Sequence, residues 1–121
     1  MNVLRILSFN IRCNTTVDGE NAWPYRRDRV ASLLRLYRPD LIGLQEVLQD
    51  QLDYLTAALP EYDWIGAGRD DGKTQGEYVP IFYRRDQFEP IESGVFWLSE
   101  TPEAAGSSGW DASLPRTVTW A

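Results

Sequence analysis

The chain has 121 residues, 43% hydrophobic and 25% charged, so it forms one small domain at most, can bury a core, and is not globally disordered. Twelve Lys and Arg against eighteen Asp and Glu leave a net charge of −6, which disfavours tight nonspecific binding of duplex nucleic acid. Cys13 is the single cysteine, which excludes an internal disulfide, and the lack of any His removes the commonest general base and zinc ligand together.

Residues 3–11, "VLRILSFNI", are rich in aliphatic side chains and suit a central strand. Arg5 interrupts the run, so it does not read as a leader, and no apolar stretch reaches membrane-spanning length. With one free thiol, this places the chain in the cytoplasm as an expectation. "RCNTTVDGENAWP" reads as a polar loop, with Pro24 suited to a helix's first turn. Val30, Leu33, Leu34 and Tyr37 then recur at helical spacing, and Pro39 ends that helix at Arg38. Positive charge gathers here: residues 12–38 hold six Arg against three acids, enough to meet one phosphate group.

"DLIGLQEV" is a second strand, buried through Leu41–Leu44 and then abruptly polar. Leu48, Leu52, Leu55 and Leu59 predict a second amphipathic helix, closed by Pro60. "YDWIGAG" reads as a third strand, "RDDGKTQGE" as a polar loop in which Asp70 and Asp71 form a solvated turn before Gly72, and "YVPIFYRR" as a fourth strand. "QFEPIESGVFWLS" predicts a longer strand kinked at Pro90 or Gly94, and 100–115 a long loop. "RTVTWA" is the last strand. Trp97 and Trp120 read as core, and Trp110 in the long loop as the one tryptophan placed for contact. The β-α-β-α-β-β-β-β order predicts an α/β fold: parallel strands with helices on one face, then antiparallel hairpins added to the same mixed sheet.

Asn10 and Glu46 each end a predicted strand. If those strands are parallel neighbours, both side chains emerge at the carboxyl edge of the sheet, where open α/β folds bind ligands. An amide oxygen and a carboxylate are hard ligands that suit Mg²⁺ together with water and substrate phosphate. On spacing alone, a helix cap at Glu46 and a turn at Asn10 explain the same residues.

"LSFNIR" followed by "PDLIGLQEV", then "GRDDGKTQGEYVPIFYRRDQF" and "FWLSETPEAAGSSGWDASLPRTVTWA", resembles in that order the endonuclease/exonuclease/phosphatase superfamily, the deoxyribonuclease-I-like fold, in a bacterial branch. The resemblance implies roughly half of a four-layer α/β/β/α sandwich, with residues 1–121 as its N-terminal half. It implies a Mg²⁺ (or Mn²⁺) ligand at Glu46, a metal-and-phosphate role for Asn10, and a phosphate contact at Arg116. It implies a second phosphate contact at Arg12, with Arg69 weaker, and an acid at Glu77 that orients a catalytic His. That His, an Asp-x-Asn pair and a terminal Asp-His belong to the family's second half and are not in this sequence.

The expectation is therefore a metal-dependent phosphoesterase of which this chain alone is inactive, because water activation typically contributes 10² to 10⁴ in rate. The substrate is a phosphomonoester or phosphodiester, with nucleic acid possible but not favoured by charge. An uncovered sheet face, lined by residues such as Ile6, Phe9, Ile81, Tyr83 and Phe96, predicts self-association of the isolated chain. A noncatalytic binding or scaffold module that keeps the fold is the alternative; a flavodoxin-like phosphate binder fits less well, since no Gly-rich phosphate loop is present.

Overall fold

The computed structural model describes residues 2–121. Its elements run β1 (Ile6–Asn10), a 3-10 segment (Thr16–Asn21), α1 (Trp23–Tyr37), β2 (Leu41–Gln45), α2 (Gln49–Ala58), β3 (Tyr62–Ile65), β4 (Ile81–Arg84), β5 (Gly94–Trp97) and β6 (Thr117–Trp120). Strands β1 to β4 form one mixed sheet in the order β1-β2-β4-β3. β1 and β2 are parallel, with Asn10 opposite Gln45; β4 runs antiparallel to both β2 and β3. The expected mixed α/β sheet with helices on one face is what the chain forms.

Alternation along each strand decides which side is buried. Leu7 and Phe9 of β1, Ile42 and Leu44 of β2, Phe82 of β4, and Tyr62 and Trp64 of β3 pack against one cluster with Trp23, Val30, Ala31 and Leu34 of α1 and Leu52, Leu55 and Leu59 of α2. Of the four leucines predicted for α2, Leu52, Leu55 and Leu59 are buried and Leu48 is half-buried; Leu48 and Leu59 cap the helix at its two ends. In α1 the buried stripe is shifted: Trp23, Val30, Ala31 and Leu34 face inward, while Leu33 and Tyr37 are exposed. Ala31, too small to stand out in a periodicity reading, is fully buried within the stripe. α1 ends as Pro39 requires, with Arg38 in the left-handed region at φ 44° and its N–H donating to the Leu34 carbonyl at 2.9 Å.

The second half of the strand order departs from expectation. β5 and β6 do not join the main sheet; they pair with each other as a separate antiparallel ribbon, with Trp97 opposite Thr117. β4 already has β2 on one side and β3 on the other, so no ladder position remains for β5 beside it. The predicted long strand shrinks to Gly94–Trp97, because the chain turns after Arg84 and Pro90 supplies no N–H for pairing.

The side of the main sheet opposite the helices carries Ile6, Leu41, Tyr83 and Asp63 in one row and Ser8, Gly43, Ile81 and Ile65 in the next. Ile6 is 68% exposed. Residues 88–92 and Trp120 fold toward this face and frame an open groove of about 600 Å³ over Leu41, Ile65, Ile81 and Tyr83. Two residues assigned to this face lie elsewhere: Phe9 points to the helix side, three positions and so the opposite parity from Ile6, and Phe96 sits on the ribbon. Trp97 is buried as expected, whereas Trp120 is half-exposed and Trp110 largely so. No helix among the described residues is long and apolar enough to cross a membrane.

Candidate metal and phosphate site

The parallel pairing of β1 and β2 brings Asn10 and Glu46 to one edge of the sheet. The Asn10 amide Nδ2 donates to Glu46 Oε1 at 3.0 Å, and the Asn10 carbonyl oxygen accepts from the Arg12 N–H at 2.9 Å. The Cys13 N–H donates to the other oxygen, Glu46 Oε2, at 3.3 Å. Asn10 is thus a clamp on the carboxylate. These bonds, with the positive charges of Arg12 and Arg116, hold the Glu46 carboxyl below the usual glutamate range against the opposing effect of its partial burial. Hydrogen bonds favouring the charged form outweigh desolvation, so Glu46 is an anion at neutral pH.

The backbone at Glu46 explains its aim. Gly43 pairs with Ile81 and Val47 with Tyr78, so β2 carries one residue more than its partner between those points. That is a β-bulge, a device that re-aims a side chain where regular pairing would send it along the sheet. Glu46 takes a left-handed conformation at φ 59° inside it, and Arg12, just past the end of β1, does the same at φ 62°. Non-glycine residues adopt this region at a cost, and concentrate there at functional sites.

The bulge also brings Glu77 into play. The Val47–Tyr78 bridge is closed by the Tyr78 N–H to the Val47 carbonyl at 2.7 Å and the Val47 N–H to the Tyr78 carbonyl at 3.3 Å, which draws the residue before Tyr78 to the bulge. Ligand atoms of Cys13, Glu46 and Glu77 lie within 4.8 Å of one another. Glu77 is itself paired with Arg69 Nη1 at 3.1 Å, and Arg69 is largely buried. The hairpin that presents Glu77 depends on Gly76 at φ 81°, where an added Cβ would meet the Asp70 carboxylate carbon at 2.5 Å. Within the same loop Asp71 accepts N–H bonds from Lys73 at 2.7 Å and Gln75 at 2.9 Å, which hold its carboxyl below the usual range.

The remaining predicted residues divide. Arg116, exposed at the start of β6, makes no ion pair among the described residues, and its charge acts on Glu46. Its backbone carbonyl accepts the Leu98 N–H at 2.9 Å, which ties the ribbon together there. Arg12 is engaged: Nε and Nη2 bond to the Asp18 carboxylate, each at 2.9 Å, while Nη1 stands 4.0 Å from Glu46. The bidentate pair raises the Arg12 pKa further and lowers that of Asp18.

Two residues that matter here were not singled out from the sequence. Gln51 is fully buried at the third position of α2; its Oε1 accepts from the Asn14 N–H at 3.1 Å and the Leu48 N–H at 3.0 Å, and its Nε2 donates to the Arg12 carbonyl at 2.8 Å. One side chain therefore ties the loop after β1 to the start of α2. A Gln three residues past a helix start was the available signal. Cys13 was read only as a marker of redox compartment, and nothing in its spacing shows that it faces two carboxylates.

Two carboxylates meeting at one point beside solvent form a donor set that fits a hard divalent cation, which takes one or two carboxylates and completes its shell with water and phosphate oxygens. A free cation, Arg116, lies close enough to bias the same spot.

The chain is similar in structure to an endonuclease/exonuclease/phosphatase from Bacteroides vulgatus, at 50% identity and a TM-score of 0.95 over 97% of this chain and 45% of that one. It is similar to a mannosyl-6-phosphatase from Bacteroides thetaiotaomicron, at 44% identity and a TM-score of 0.93 over 98% of this chain and 45% of that one. In sequence it is 26% identical over 113 residues to the uncharacterized protein L388 of Acanthamoeba polyphaga mimivirus, covering 88% of this chain and 42% of the relative. The chain thus spans less than half the length of each of these relatives. Residues 7–115 match the Endonuclease/Exonuclease/phosphatase family, and the chain belongs to that family.

Proposed function

We propose that the protein to which this chain contributes is a divalent-metal-dependent phosphoesterase acting on a small phosphomonoester. The observation that carries this reading is the convergence of Glu46 and Glu77 at the carboxyl edge of the sheet, with Glu46 clamped as an anion. Glu46, joined by Glu77, would hold Mg²⁺ or Mn²⁺; when bound, such an ion polarises a phosphoryl oxygen and neutralises charge that develops on it.

This chain's own residues supply orientation and charge. Asn10 and the Cys13 N–H fix both oxygens of Glu46, so the carboxylate is preorganised and does not have to rotate to bind. Arg116 has no carboxylate partner among the described residues and is available to a substrate phosphate. Arg12 serves the phosphate path only if its pair with Asp18 opens, so its first role is to hold the loop after β1. Glu77 would share the metal, and its pairing with Arg69 keeps it fixed there; orienting a base supplied from outside residues 1–121 would be its second role.

The substrate class rests on two features. The net charge of −6 opposes a long polyanion. The similar protein from Bacteroides thetaiotaomicron is a mannosyl-6-phosphatase, a sugar phosphomonoesterase by name. Activity of the full-length protein on sugar phosphates, bis-ester substrates, phospholipid head groups and single-stranded DNA, with Mg²⁺ and with chelator, tests the reading. Chelator-sensitive release of phosphate from sugar monophosphates is expected. Preferential cleavage of DNA or lipid diesters would overturn the substrate class, and full activity in chelator would overturn the metal.

A further inference from the structure

We propose that Trp97 is a positioning residue for the candidate site: its indole N–H fastens the β5–β6 ribbon to the loop of residues 69–77 and so holds Arg116 and Glu77 in place relative to each other. This rests on the reading of the sheet's carboxyl edge as a phosphoesterase site and adds to it the group that joins two of its parts.

The fold creates the need for such a group. β5 and β6 pair with each other and not with β1 to β4, so no strand ladder fixes the ribbon against the main sheet. Yet Arg116 lies at the start of β6, while Glu46 ends β2 and Glu77 precedes β4. A cation on the ribbon meets a phosphate held at the sheet edge only if the ribbon docks in one orientation. Trp97 stands at the point of docking. It is 6% exposed, and its Nε1 donates to the Arg69 carbonyl at 2.7 Å. Arg69 in turn holds Glu77 twice: its N–H donates to the Glu77 carbonyl at 3.0 Å, and its Nη1 pairs with the Glu77 carboxylate at 3.1 Å. Within the ribbon, Trp97 lies opposite Thr117, the residue after Arg116, and the Leu98 N–H donates to the Arg116 carbonyl at 2.9 Å. One indole therefore reaches Glu77 through Arg69 on one side and Arg116 through the β5–β6 ladder on the other.

Two glycines show that the docking is close and specific. A Cβ added at Gly72 would stand 3.2 Å from Trp97 Cη2 and 3.2 Å from Ala105 Cβ. A Cβ added at Gly106 would stand 2.6 Å from the Asp70 carbonyl oxygen. Both glycines also lie at positive φ, 71° and 77°, where a side chain is disfavoured. The loop that presents Glu77 and the loop after β5 thus meet at a contact in which side chains have been removed to let the backbones approach. Trp97 is the large side chain kept there, and its one polar atom is spent on Arg69.

Trp97→Phe keeps a ring in the contact and deletes the donor; Trp97→Met, which fills irregular gaps, is the second variant if phenylalanine is poorly tolerated. Amide hydrogen exchange of this chain followed by nuclear magnetic resonance reads the latch itself. Exchange of the Arg69 and Leu98 N–H groups is expected to quicken by about 10-fold in the variant, with Ile42 and Leu44 in β2 unchanged. A double-mutant cycle on the full-length protein reads the positioning, with a sugar monophosphate as substrate in Mg²⁺. Trp97→Phe is expected to lower kcat/KM by about 10-fold, chiefly through a raised KM, and to cost less than about 3-fold once Arg116→Ala is present. A tryptophan that only stabilises the fold costs the same factor in both backgrounds. Equal losses in both backgrounds, or unchanged exchange at Arg69, overturn the positioning role and leave the phosphoesterase reading standing. A wild-type protein without chelator-sensitive turnover overturns that reading and the positioning role with it.

Discussion

Glu46 shows how much one residue can carry. Its side chain is aimed by a bulge, its charge is fixed by Asn10 and the Cys13 N–H, and its backbone lies at φ 59°. The backbone gives a prediction that reverses the ordinary ranking. Glycine adopts the left-handed region freely, whereas any residue with a Cβ is disfavoured there by roughly 1–2 kcal/mol. Glu46→Gly is therefore expected to be more stable than Glu46→Ala, by about 1 kcal/mol in urea unfolding; an alanine variant as stable as the glycine one would contradict the strain. Glu46 was legible from the sequence because it follows a buried run at once, and Asn10 because it ends the parallel neighbour. The left-handed backbone and the bulge were not, since both come from the register between β2 and residues 78–81, which is a long-range property. Cys13 and Gln51 were missed for the same reason: their significance lies in partners 33 to 39 residues away.

Among the elements, the two loops that carry the site differ in how they are held. The loop after β1 hangs on the Gln51 side chain, which is fully buried and uses both its acceptor and its donor. Gln51→Leu leaves the Asn14 and Leu48 N–H groups and the Arg12 carbonyl without that partner, and each unmet buried group costs about 1–3 kcal/mol. A loss of about 3 kcal/mol in thermal or urea unfolding is expected, with weakened Mn²⁺ binding; a loss under about 1 kcal/mol would show that water replaces the amide at no cost. The loop of residues 69–77 hangs on Asp71. Its carboxyl is held low by the N–H groups of Gln75 and Lys73, so its folded pKa lies below its unfolded one. That contribution is fully present above the unfolded pKa and is lost as pH falls through the folded value. The amide proton shifts of Lys73 and Gln75 are expected to titrate together below the ordinary aspartate range, and Asp71→Asn to remove the transition. Titration at the ordinary value would contradict the turn. The sequence located Asp71 as a turn residue, and it located α1, α2 and five of the six strands in the right order and near the right bounds. It failed on the bounds of the fifth, the long strand at 87–99, and on the sheet to which β5 and β6 belong, because local propensity does not record that both neighbours of β4 are already taken.

For the molecule as a whole, the helix side is closed and the other side is not. Ile6 is largely exposed there, and Leu41, Ile81, Ile65 and Tyr83 line the open groove framed by residues 88–92 and Trp120. We propose that the isolated chain associates through this face, since contiguous exposed apolar surface favours association. Sedimentation velocity is expected to show concentration-dependent association, relieved in the double variant Ile6→Lys, Ile81→Lys. A wild-type chain that stays monomeric into the hundred-micromolar range would contradict this. The alternation of apolar residues made the face legible in outline, but it misassigned Phe9, whose parity places it with Leu7 among the helices.

The central claim is that the carboxyl edge of the sheet, at Glu46 and Glu77, binds a divalent cation. Mn²⁺ titration of this chain followed by electron paramagnetic resonance tests it most directly. One saturable site is expected, weakened on the order of 10- to 100-fold or more in Glu46→Gln and in Glu77→Gln, and unaffected by Asp86→Asn at the far end of β4. Equal Mn²⁺ affinity in all four proteins would contradict it.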